Sequence, residues 1–151
     1  MNLINWLLYR NLNIMLNPEK NLLPSYRMIS RTIPIPIELV IAHAECESNQ
    51  YSQAIGRAGE YGLWQFLPST WISLLGNADW KSVENQTIAY IIHASNIIKT
   101  YHLNLYEDND IIKFLWIWNA GGGNYKKKYM PASTKEYIRK ILYLKTQVSN
   151  A

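Results

Sequence analysis

The stretch from Ile37 to Glu47 reads as a helix with Val40, Ile41 and Ala44 on one side and Leu39, Ala42 and Cys46 on the other. A helix that is apolar all round has no face to give to water, so the rest of the chain must fold around it. The chain can supply that cover: 151 residues with 48% hydrophobic content suffice for one domain with its own core. Cys46 is the single cysteine, which excludes a disulfide-stapled miniprotein.

Glycine and proline punctuate the chain on either side of this helix. Residues 2 to 16 read as a helix without a clear apolar face, and Pro18, Pro24, Pro34 and Pro36 mark residues 17 to 36 as a linker or wrapping arm. Within it Ile33-Pro34-Ile35-Pro36 should be extended, because proline disfavours helix in the residue before it. The expected division is an N-terminal extension over 1–36 and a helical domain over 37–148. Residues 49 to 67, with Gly56, Gly59 and Gly62, predict an irregular loop or short hairpin. Helices follow near 70–75, stopped by Gly76, near 83–102, and near 110–120, stopped by Gly121-Gly122-Gly123. The last helix opens with Ser133 and Glu136 spaced as a capping box.

Glu47 closes the buried helix. Desolvation and the negative end of the helix dipole both disfavour a carboxylate there. A carboxyl group held in its acid form is what cleavage of a glycosidic bond requires, since the departing sugar oxygen must take up a proton. The plainer reading, a glutamate reaching solvent from a helix end, stays open on this observation alone.

The residues after Glu47 decide between the two. Glu47-Ser48, Ala54, Ala58, Gly59, Gly62-Leu63-Trp64-Gln65 and Pro68-Ser69-Thr70 resemble the soluble lytic transglycosylase family in order and spacing. Asn119-Ala120-Gly121 is similar to that family's Tyr-Asn-Ala-Gly motif, and Pro131, Thr134 and Tyr137 to its closing Pro-x-x-Thr-x-x-Tyr segment. The resemblance spans about Ile37 to Leu142 and leaves residues 1 to 32 outside. It implies a mainly α, lysozyme-like fold whose irregular loop or hairpin forms one wall of a groove for peptidoglycan, and no cofactor. Glu47 would then be general acid and afterwards base, with Ser48 a supporting hydroxyl and Tyr137 orienting Glu47. Gly62, Leu63, Trp64, Gln65, Trp118 and Asn119 would line the substrate groove. Three positions depart from the pattern: Gly56 where a serine is usual, Trp64 in place of methionine, and Trp118 in place of tyrosine. Either tryptophan could stack on a sugar ring or pack in the core.

Other functions leave weaker marks. Glu60, in the loop expected to face Glu47, could serve as a second carboxylate that activates water, which would make the chain a muramidase. A glycan-binding virion component without catalysis is a further alternative. The net charge of +4 and pI near 9.1 favour anionic partners. Lys126, Lys127, Lys128, Lys135, Arg139 and Lys140 are better read as a solvated face toward acidic wall polymer than as a nucleic-acid site. His43, His93 and His102 show no metal-ligand spacing, and Cys46 points away from Glu47 around the helix. No stretch is long enough to span a membrane, and the N-terminus lacks the features of a signal peptide. The expectation is action on the bacterial cell wall after delivery by another route, such as carriage in a phage particle or release at host lysis. Residues 1–32 are the candidate docking segment to a virion or other assembly.

Overall fold

A computed structural model describes residues 22–150. The helix expected over residues 2 to 16 lies outside the described residues. The described residues form seven helices: α1 (Leu23–Thr32), α2 (Ile37–Ser48), α3 (Pro68–Leu75), α4 (Val83–Tyr101), α5 (Asp108–Ala120), α6 (Gly122–Lys126) and α7 (Ala132–Ser149). The expected mainly α architecture is what the chain adopts. In place of strands, the described residues hold two isolated antiparallel bridges, Ile55 with Tyr61 and Tyr61 with Phe66. These fold residues 49–67 into the irregular hairpin-like loop that the glycines predict.

The apolar helix α2 is the centre of the domain. Leu39, Val40, Ile41, Ala42, His43 and Ala44 are all buried, and its broadest packing is against α7. On the other side it meets α1, which also packs on α4, while α5 packs on both α7 and α4. The long C-terminal helix thereby lies along the catalytic candidate's own helix, and that placement matters for the site.

The reading of residues 17–36 as an arm needs correction over 23–32. Those residues wind into α1, with Pro24 in the first turn, where its missing N–H costs nothing. Leu23, Tyr26 and Ile29 recur at three-residue spacing and are buried in the core. Prolines that punctuate a linker and a proline that starts a helix look alike in sequence; here the apolar period decides. The Tyr26 hydroxyl donates to Gln50 Oε1 at 2.8 Å, tying α1 to the turn after α2. Ile33–Pro36 is non-helical, as expected, and buries Ile33 and Ile35. A boundary at residue 36 falls between two helices packed on each other.

Two termini also differ from expectation. The capping box on α7 does not form: Pro131 occupies the N-cap with no side-chain cap hydrogen bond, and Ser133 lies inside the first turn. Proline's fixed φ sets the helix start in place of the serine hydroxyl. Gly121 ends α5 at φ +84°, as the glycine run predicts, yet Gly122 immediately starts the short α6.

Candidate active site

The site is assembled where the end of α2, the loop over residues 54–67 and the end of α5 meet. Glu47, Gly56, Arg57, Glu60, Gln65, Leu67, Trp118 and Asn119 line a cleft of about 470 Å³. Five of the sequence-derived candidates therefore share one cavity: Glu47, Glu60, Gln65, Trp118 and Asn119.

Glu47 is held from α7. The Tyr137 hydroxyl donates to Glu47 Oε1 at 2.7 Å. Oε1 also lies 3.6 Å from His43 Nε2, one helical turn earlier, and the Glu47 side chain is 17% exposed. Asn119 is held from the same helix: the buried Thr134 hydroxyl donates to Asn119 Oδ1 at 2.7 Å. Thr134 and Tyr137 stand three apart on α7 and so share a face. The closing motif thus has a structural meaning: α7 carries two hydroxyls that fix two groups of the cleft.

The loop wall is braced by polar groups from below. Ser48 Oγ lies 2.8 Å from the Leu63 carbonyl and 3.0 Å from the Ala44 carbonyl, linking α2 to the loop with its one hydrogen shared. Gln86 on α4 is fully buried and spends all of its amide on the loop and its neighbours. Its Oε1 accepts from the Leu63 N–H at 2.9 Å, and its Nε2 donates to the carbonyls of Ser52 at 2.8 Å and Trp80 at 2.7 Å. Gly62 is required here, since φ is +74° and a Cβ would overlap the Gln86 amide. Gln65 itself takes a left-handed φ of +49°, and its Nε2 donates to the Gly62 carbonyl at 2.9 Å. A non-glycine residue held in that region beside a cleft is a strained position supported by its surroundings.

Three expected groove residues, Gly62, Leu63 and Trp64, do not line the cleft. Leu63 and Trp64 are fully buried, and the Trp64 Nε1–H donates to the Val40 carbonyl at 3.3 Å. Trp64 packs on Tyr26 and Tyr90, so its ring is core and the stacking role is corrected. The loop sends Leu63 and Trp64 inward, while Gln65 borders the cleft. Trp118 does border it, as one edge of a cluster with His43, Tyr90 and His93 at ring separations of 4.7, 5.0 and 4.6 Å. Gly62 contributes backbone under the loop rather than a cleft surface.

Glu60 reaches the cleft, and its Oε2 accepts from the Ala58 N–H at 2.9 Å. Sequence reasoning missed Arg57 and Leu67 as lining residues, Gln86 as the loop's brace, and His43 as a neighbour of the acid. For His43 the signal was present: four residues before Glu47 places it on the same helical face. Burial pushes the Cys46 thiol up to about 11, which agrees with a packing role. The lysine run lies off this cleft; Lys126 and Lys128 border a separate cavity with Lys113, Trp116 and Tyr125. Among the described residues no helix is long and apolar enough to cross a membrane.

Comparison with known proteins gives one result. A family model described as "Transglycosylase SLT domain" matches residues 24–141, reaching back over α1 beyond the stretch that the sequence motifs cover. No curated protein and no solved structure matches.

Proposed function

The chain belongs to the transglycosylase SLT domain family, lysozyme-like enzymes acting on peptidoglycan, and from that premise we propose that it is a lytic transglycosylase with Glu47 as its acid and base. The observation that carries this reading is a carboxylate bordering a cleft of oligosaccharide scale with one oxygen tied to Tyr137. Glu47 gives its proton to the oxygen that joins N-acetylmuramic acid C1 to the next sugar's C4, and the C1–O bond breaks. Positive charge developing at C1 is met by the carbonyl oxygen of the muramic acetamido group. Glu47, now a carboxylate, takes the proton of the C6 hydroxyl as that oxygen attacks C1. A 1,6-anhydromuramic end forms, Glu47 is again an acid, and no water is consumed. Gln65 and Asn119 are the hydrogen-bonding groups for sugar, and Trp118 the apolar edge.

Glu60 keeps a second reading alive, because it borders the same cleft. A carboxylate on the far side of the scissile bond could activate water and give a reducing end instead. Release of soluble fragments from purified peptidoglycan tests the primary assignment. The wild type should release them and Glu47→Gln should not, whereas Glu60→Gln should retain most of the activity. Undiminished release by Glu47→Gln would remove Glu47 from the mechanism. Release abolished by Glu60→Gln would favour the muramidase.

A further inference from the structure

His43 has no solvent exposure and sits in a nest made by Tyr90, Phe114, Trp118 and Tyr137. A buried imidazole must satisfy two nitrogens, and each has one hydroxyl within reach. Nδ1 lies 3.1 Å from Tyr90 Oη, and Nε2 lies 2.8 Å from Tyr137 Oη. Counting hydrogens fixes the direction of every bond. The Tyr137 hydroxyl has one hydrogen, given to Glu47 Oε1, so toward His43 it can only accept. Nε2 must therefore carry hydrogen. A neutral ring then has a bare Nδ1, which accepts from Tyr90, a hydroxyl with no other hydrogen-bond partner among the described residues. The result is one directed chain: Tyr90 to His43, His43 to Tyr137, Tyr137 to Glu47. Reversing it would leave the Tyr90 hydrogen without an acceptor in the core, where an unpaired polar group is costly.

We propose that His43 is a positioning residue of this site, which through Tyr137 holds Glu47 Oε1 as an acceptor and so assigns the transferable proton to Oε2. Oε2 makes no hydrogen bond to protein among the described residues, and Glu47 borders the cleft, so the proton is left on the oxygen free to meet a ligand. Tyr137 alone could rotate its hydrogen toward Glu47 or toward His43. The imidazole N–H behind it removes that second choice. This inference rests on Glu47 being the acid, and its first test does not.

In protein labelled with ¹⁵N-histidine, long-range ¹H–¹⁵N spectra at neutral pH should show His43 as the Nε2–H tautomer with Nδ1 as acceptor. The Nδ1–H tautomer, in a protein that cleaves glycan, would overturn the assignment alone. An inactive wild type would overturn the glycan-cleavage reading, and with it the catalytic part of this one. The second test uses two variants on soluble glycan-strand fragments. His43→Gln keeps a donor toward Tyr137 and should retain most of kcat. His43→Met fills similar space without a donor, and kcat should fall about tenfold with KM little changed. In a Tyr137→Phe background the same His43→Met change should cost almost nothing further, because the chain is already cut. Equal kcat for the Gln and Met variants, or a full additional loss in the Phe background, would make His43 a packing residue only. Should the Met variant fail to fold, the tautomer still decides.

Discussion

Replacing Gln86 by methionine should loosen the cleft's loop wall without touching the cleft. The side chain is buried and makes three hydrogen bonds at 2.7 to 2.9 Å. Methionine has comparable length and no amide, so the Leu63 N–H and the carbonyls of Ser52 and Trp80 would lose their partner while staying largely out of water. Leaving such a group unpaired costs about 1–3 kcal/mol each, and the three losses overlap because the loop can shift to recover some of them. A total of roughly 3–6 kcal/mol is expected, a large share of the ~5–15 kcal/mol that holds a domain together. For a chain of this length that corresponds to a fall in Tm of roughly 10–20 °C. Urea unfolding followed by circular dichroism measures it: the midpoint should drop with the slope unchanged, and peptidoglycan cleavage at low temperature should fall as the Gln65 side of the cleft loses its support. A destabilisation below about 1 kcal/mol would refute the reasoning, because it would mean that the amide is not what holds the loop.

Tyr137→Phe removes the hydrogen bond to Glu47 together with the one from His43, so kcat should fall roughly ten- to a hundredfold while the far-UV spectrum stays unchanged; unaltered turnover would show that Glu47 needs no such tie. Burial, with a smaller contribution from His43, lowers His93 to about 4 from an ordinary value of 6.5. Above pH 6.5 neither folded nor unfolded chain protonates it. Below that the unfolded chain gains a proton that the folded one refuses, so stability is lost as pH falls from about 6.5 toward 4. Between pH 7 and 4.5 the wild type should lose about 2–3 kcal/mol more than His93→Gln in urea melts, and equal losses would contradict it. Cys46, raised to about 11 by burial, should react with iodoacetamide at pH 8 only slowly, since about one thiol in a thousand is ionised there. Rapid labelling of the folded protein would show that the thiol is open to solvent.

How much of this was legible in the sequence depended on whether the signal was local. The apolar surround of α2 gave away a central helix, and Glu47 stood at its end; Gly76 and Gly121 marked helix stops by their backbone freedom. The helix α1 was hidden because Pro24 serves equally as a linker residue and as a helix start, and only the spacing of Leu23, Tyr26 and Ile29 separates the two. Ser133 looked like a cap because the capping pattern depends on two residue types three positions apart, while the helix start was set by Pro131. Trp64 could not be placed from sequence, since a loop residue's facing follows no period. Gln86 was illegible for a related reason: nothing in α4 tells that one amide must serve two backbone groups of a distant loop and a third just ahead of the helix. His43 lay within reach of helical spacing, but its two tyrosines come from α4 and α7, and only the packed fold brings them together.

In the proposed reaction Glu47 closes an internal ring on the muramic sugar rather than guiding water to it. Digestion of purified peptidoglycan in H₂¹⁸O, followed by mass spectrometry of the released muropeptides, separates the two outcomes directly. Ring closure predicts muramic ends one water lighter than reducing ends, with no ¹⁸O incorporated, and no such products from Glu47→Gln. Reducing ends carrying ¹⁸O would contradict it and assign the second carboxylate role to Glu60.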